Sequence, residues 1–171
     1  MKWLVDGYNV IRRDPGLAGR EAESLEAGRV ALLHLLARVA RESGEEFVVV
    51  FDGARRTGAA PAPGQVQVVF SRPPQSADDV LIGLAGQYRT GAAVVSSDRT
   101  VATAAQRAGC TAVGAEAFVA AVARGAPDAD AGDEDEEEAD TRPTARRGNP
   151  RRLSREAKAV RRALDRLHRR R

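Results

Sequence analysis

Cysteine occurs only once in this chain, at Cys110. No intrachain disulfide can form, and a cysteine-based zinc site cannot be assembled from this chain alone. Cys110 is expected to be a small buried hydrophobe at the start of a strand. Histidine is nearly as scarce: His34 falls in a leucine-rich helical stretch and His168 in a basic tail, neither with the spacing of a metal or triad site. There is no run of 18 or more apolar residues, so no membrane-spanning helix is expected. The opening Met1-Lys2-Trp3-Leu4-Val5-Asp6 reaches a carboxylate too early for the apolar region of a signal peptide. The expectation is a soluble, cytoplasmic protein without a membrane partner. Neither Gly-x-Gly-x-x-Gly nor Gly-x-x-x-x-Gly-Lys is present, so dinucleotide and P-loop readings lack support and no small-molecule cofactor is expected.

What is present suffices for one sizeable core: 171 residues, 43% of them hydrophobic. Short runs of β-branched and aromatic residues alternate with stretches of helical period, which predicts an α/β domain with a mostly parallel sheet covered on both faces. Strands are expected at Trp3-Leu4-Val5, Phe47–Phe51, Val66–Phe70, Ala92–Ser96 and Thr111–Val113. The first is followed by an expected loop through Asp14-Pro15-Gly16. A helix over 21–43 comes next, with Leu25, Leu32, Leu36 and Val39 as its apolar stripe and Gly44 as its stop. The Gly-, Ala- and Pro-rich segment 54–65, carrying Arg55 and Arg56, reads as a mobile loop. Further helices are expected from Ser76, which is placed to cap, over 99–108, and over 115–124.

Charge divides the chain into three expected units. Residues 1–127, the α/β domain, are nearly neutral, with 14 basic and 13 acidic groups. A linker over 128–148 opens on a stretch, 128–141, with nine acidic and no basic groups. It has too little apolar surface to offset its ordering entropy and is expected to be disordered. Residues 142–171 carry 13 basic groups against two acidic ones. Over 149–171 they read as a basic amphipathic helix, opened by the Asn149-Pro150 cap and seamed by Leu153, Ala157, Val160, Leu164 and Leu167. Arg151, Arg152, Arg155, Lys158, Arg161 and Arg162 provide a phosphate-neutralising surface, which points to RNA or a ribosome as partner. The seam needs a partner of its own. It can dock on the core or pair two copies, and the acidic stretch can shield the arginines; oligomeric state stays open.

Three expected strands run directly into an aspartate: Val5 into Asp6, Phe51 into Asp52, Ser97 into Asp98. In an open parallel sheet the crevice outside the strands' carboxyl ends is where ligands bind, so these acids converge there. Asp78 and Asp79, opening the helix after Ser76, can share that edge. Carboxylates so arranged repel one another unless a cation lies between them. Oxygen donors without histidine or cysteine argue for Mg2+ or Mn2+ rather than zinc. That combination suits hydrolysis of a phosphodiester. Two rival readings stand beside it. A haloacid-dehalogenase-type phosphatase needs a second acid two residues after Asp6, where Tyr8 stands instead. A non-catalytic RNA- or ribosome-binding module is compatible with the same residues. Gly7 and Gly53, just past strand-end acids, would let a phosphate or backbone approach closely, or simply serve tight turns.

Asp6-Gly7-Tyr8-Asn9-Val10-Ile11, Val50-Phe51-Asp52-Gly53, Phe70-Ser71 followed by Ser76-Ala77-Asp78-Asp79, and Ser96-Ser97-Asp98 resemble, in this order, the motifs of NYN domains. More narrowly they resemble the YacP-like branch, which includes a ribosome-associated messenger-RNA endonuclease. The resemblance covers residues 1–120 and implies a PIN-like three-layer sandwich and Mg-dependent endoribonuclease activity. By that resemblance Asp6, Asp78 and Asp98 hold metal and Asn9 supports the site. Asp52 and Asp79 match less diagnostic acidic positions, and Ser97 is placed to orient Asp98 or a water. The acidic stretch departs from the family pattern.

Overall fold

The computed structural model describes residues 1–53, 64–124 and 154–168. Five parallel strands form one sheet: β1 (Lys2–Asp6), β2 (Glu46–Phe51), β3 (Val66–Phe70), β4 (Ala92–Val95) and β5 (Thr111–Val113), in the spatial order β3-β2-β1-β4-β5. The central strand pairs Trp3 with Phe47 on one side and with Ala93 on the other. Such a strand is buried on both faces, which explains the unbroken apolar runs.

Successive side chains alternate between the faces. Trp3, Val5, Phe47 and Val49 meet one group of helices, while Leu4, Val48 and Val50 meet the other. The first group comprises α1 (Gly7–Arg13), α2 (Pro15–Glu23), α3 (Leu25–Ser43), α6 (Ala115–Arg124) and α7 (Arg155–Arg166); the second comprises α4 (Ala77–Tyr88) and α5 (Arg99–Arg107). The expected three layers are present. Burial of Leu32 and Leu36 from α3 contributes about 1.5–3 kcal/mol each. The helix stops where expected, at Gly44, whose φ of 71° lies in the left-handed region. Cys110 is buried just before β5, its thiol donating to the carbonyl of Arg89 at 3.0 Å.

Two expectations need correction near the start. The segment after β1 is not a loop: α1 begins at Gly7 without any linker, and Asp14-Pro15 opens α2, the Asp14 carboxylate accepting from the Leu17 amide at 2.9 Å. Gly7 answers to packing rather than to a ligand, because a Cβ there would collide with the Phe51 ring. Gly53 has φ 96°, as a turn requires. Leu25, read as part of the buried stripe, is 51% exposed at the first residue of α3.

The apolar seam of the last helix has the core as its partner. Ala163 and Leu167 are buried in the cluster that holds Trp3 and Phe118, with Val160 and Leu164 packed against it. Buried Glu45, just before β2, fixes the helix end. Its Oε1 accepts from Arg166 Nε at 3.1 Å, and its Oε2 accepts from Trp3 Nε1 at 3.3 Å and lies 3.0 Å from the Met1 amine. α7 starts at Arg155, capped by Ser154, whose hydroxyl accepts from the Ala157 amide. The expected acidic linker, Asn149-Pro150 cap and mobile loop at 54–63, with Arg151, Arg152 and Leu153, lie outside the described residues. Among the described residues no helix is long and apolar enough to cross a membrane.

Candidate active site

At the carboxyl edge of the sheet lies a cleft of about 690 Å³. One part of its wall is acidic, formed by Asp6, Asp52 and Asp78. The rest carries Tyr8, Leu25 and the α1 residues Arg12 and Arg13.

Asp6 is both the last residue of β1 and the N-cap of α1. Its Oδ1 accepts from the Asn9 amide at 3.1 Å and its Oδ2 from the buried Ser96 hydroxyl at 3.3 Å. Burial pushes its carboxyl above the usual carboxylate range, and the charge of Asp78 pushes the same way; the Asn9 amide and Ser96 hydroxyl work against them. Asp78, in the first turn of α4, is also pushed up, by burial first and then by Asp98, Asp79 and Asp52. These two acids therefore carry an electrostatic cost that the fold does not relieve.

Asp79 and Asp98 behave oppositely. Asp79 forms a capping box with Ser76, accepting from its amide and its hydroxyl at 2.9 Å each, and these bonds hold its carboxyl below the usual range. Asp98 caps α5, accepting from the Val101 and Thr100 amides at 3.1 and 2.7 Å, and is pulled down by them. Neither lines the cleft; the charge of Asp98 is nevertheless felt at Asp78. Asp52, which the sequence ranks below Asp98, does line it, steadied by a 2.6 Å hydrogen bond from Ser71 that ties the end of β2 to the residue after β3.

The amide of Asn9 stitches α1 to the turn after β4: its Oδ1 accepts from the Ser97 backbone N–H at 3.4 Å. Ser97 does not orient Asp98. Its hydroxyl donates to Glu116 Oε2 at 2.8 Å and accepts from the Ala115 amide. The serine that serves the acids is Ser96, whose Oγ donates to Asp6 and accepts from the Asp98 amide at 3.1 Å. Sequence reasoning also missed Arg12, Arg13 and Glu116. Arg13 pairs with Glu116 Oε1 at 3.0 Å, and Arg12 lies 3.6 Å from Glu21 and over the Tyr8 ring. The signal was there in the 6, 9, 12 and 13 spacing, but it needs α1 to be a helix before those residues share a face.

Arg155, Lys158, Arg161 and Arg162 are exposed on α7. The end of that helix is fixed at Glu45, beside the amino ends of the strands, whereas the acids stand at the carboxyl ends. α7 is thus not fastened at the cleft.

Among the described residues, no group of three or more Asp, Glu, His or Cys side chains is gathered closely enough to hold a metal ion. Two of the acids, Asp79 and Asp98, are turned onto helix-start donors instead. The donor set of the cleft still suits a hard cation, since Asp6, Asp52 and Asp78 offer only oxygen, and Mg2+ needs just one or two carboxylates beside water and phosphate.

The chain is similar to YacP of Bacillus subtilis (strain 168), 33% identical over 84 residues, covering 48% of this chain and 49% of that protein. That match spans about half the length of the curated relative. Crystal structures of Rae1 (YacP) from Bacillus subtilis are similar at TM-scores of 0.64 and, for a single-substitution variant, 0.61. Both are 28% identical, covering 72% of this chain and 74% and 75% of theirs. The description "YacP-like NYN domain" matches residues 3–167, from β1 past the end of α7, and the chain belongs to that family.

Proposed function

We propose that this protein is a cytoplasmic, metal-dependent endoribonuclease that hydrolyses RNA phosphodiester bonds in the cleft at the carboxyl edge of the sheet. The observation that carries this reading is the juxtaposition, in one cleft, of the costly carboxylates Asp6 and Asp78 with Arg12 and Arg13. Asp6 and Asp78, with Asp52 beside them, are the residues that would hold Mg2+ or Mn2+. When bound, the ion supplies Lewis acidity at the phosphoryl group.

The chain's own residues do the remainder. Ser96 and the Asn9 amide orient the Asp6 carboxylate before substrate arrives, so no reorganisation is needed at the moment of reaction. Arg12 and Arg13 neutralise phosphate oxygens of the incoming strand, with Arg13 held in place by Glu116. Asp98 acts from behind: it fixes the start of α5 and adds negative charge at Asp78. The exposed arginines of α7 add a basic surface for RNA. Messenger RNA on the ribosome is the natural substrate in this reading, and only the family resemblance supports it.

The test is cleavage of an end-labelled RNA, with and without ribosomes, in Mg2+ or in chelator. Wild type is expected to cut only with the metal, and Asp6→Asn and Asp78→Asn at least roughly 100-fold more slowly, as for loss of a metal-site carboxylate. Equal cutting by the variants, or undiminished cutting in chelator, overturns the proposal. Binding without any cutting in either condition would favour the non-catalytic module.

A further inference from the structure

Helix α5 leaves the carboxyl edge of the sheet at Asp98, the acid whose charge reaches Asp78. Its inner face buries Val101 and Ala105 against the sheet. Its outer face presents Arg99, Thr103 and Arg107 at four-residue intervals, with Thr100 beside them, along a shallow, open groove that among the described residues is lined by α5 alone. All four are exposed. Arg12, Arg13, Arg20 and Arg166 each have a carboxylate within 4.0 Å, whereas Arg99 and Arg107, like several other exposed arginines, have none among the described residues. Among the described residues their charge is uncompensated, and the catalytic cleft does not use it.

The stripe rises roughly 12 Å along the helix from Arg99 to Arg107, at 1.5 Å per residue. It begins beside the cleft and descends the face of the sheet opposite to α7. Two guanidiniums with a threonine hydroxyl between them match a run of phosphates: each guanidinium neutralises a phosphate, and the hydroxyl donates to a phosphate oxygen. Among the described residues no aromatic side chain lines the groove, so they offer no stacking platform for bases.

We infer that the Arg99–Thr103–Arg107 face of α5 is a backbone track that holds the RNA strand where it leaves the cleft. It reads charge and length, not sequence. The inference rests on the ribonuclease reading for its ligand, but not on the chemistry of the acids.

The experiment compares Arg99→Gln/Arg107→Gln with wild type for binding of single-stranded RNAs of five and twenty nucleotides over a salt series. Asp78→Asn is included, and thermal melting confirms folding. Loss of two phosphate contacts should flatten the slope of log affinity against log salt by ~1.4 for the long RNA and weaken its binding roughly tenfold at 0.1 M salt. The short RNA should bind, and be cut, as by wild type. If the long RNA keeps its wild-type slope, or if both lengths weaken equally, the track is wrong. If the double variant flattens the slope while wild type itself cuts no RNA even with Mg2+, the track stands and the nuclease reading falls. A binding loss seen for an acidic peptide but not for the long RNA would also overturn it.

Discussion

Asp6 and Asp78 on one side, and Asp79 and Asp98 on the other, are the same residue type, at the same edge of the same sheet, each within or beside a helix start. Their electrostatic states nevertheless diverge. The first pair loses solvent to the cleft and faces like charge, and both carboxyls are pushed up. The second pair is exposed and accepts bonds from backbone amides or a serine, and both are pulled down. An acid at a strand end is therefore not functional by position alone. What separates the pairs is whether the carboxylate faces the cleft or folds back on its own helix.

The largest effect that can break this comparison is on chemistry against stability. Asp6→Asn and Asp78→Asn should lose RNA cleavage, as above, yet melt no lower than wild type in chelator at neutral pH, because an uncharged amide escapes the burial cost. A fall in melting temperature with activity retained would contradict the division. Next comes metal binding. Mg2+ at 100 times its dissociation constant should stabilise wild type by about 2.7 kcal/mol and leave the Asp6→Asn/Asp78→Asn variant unmoved, measured by thermal shift.

Acid titration separates the pairs by sign. A raised carboxyl binds its proton more tightly folded than unfolded, so its contribution is complete below the unfolded pKa, about 3.8, and is lost as pH rises through its folded value. Metal-free wild type should thus gain stability relative to Asp6→Asn/Asp78→Asn as pH falls from neutral into the carboxylate range. Asp79 and Asp98 run the other way: their contribution is present above the unfolded value and lost as pH falls through their depressed folded values. Denaturation curves between pH 7 and pH 3 that shift in one direction for both pairs would refute the assignment. The smallest effect is at the cap itself. Asp98→Ala should lower the melting temperature and Asp98→Asn leave it nearly unchanged, since asparagine caps as well as aspartate.

Much of the architecture could be read in the sequence, because periodicity reports burial directly. The run Phe47–Phe51 reads as a strand buried on both faces, and Ser76 followed by two aspartates reads as a helix start. The helix α1 was illegible for a physical reason. Gly7, Tyr8 and Asn9 are weak helix formers, and their helix is stabilised by the Asp6 cap and by the Tyr8 ring on Phe51, a tertiary contact. Asp14-Pro15 carries the same local signature for a turn and for a cap. The site shared that fate. Asp6 and Asp78 were visible as strand-end and helix-start acids, but Arg12 and Arg13 depend on α1. Ser96 and Ser97 differ only in which way the chain turns past β4. Whether Asp98 faces metal or amides is likewise settled by side-chain direction, which spacing does not encode.

The fastening of Glu45 to Arg166 joins residues 121 positions apart. For a chain that emerges from synthesis amino end first, this orders events. The sheet is complete once Val113 has appeared, yet the apolar surface that Ala163 and Leu167 cover must wait, wet and adhesive, until the last helix arrives. A chain stalled before α7 would carry that surface together with a carboxylate lacking its arginine partner. The basic helix is thus also a late-arriving cover for that apolar surface.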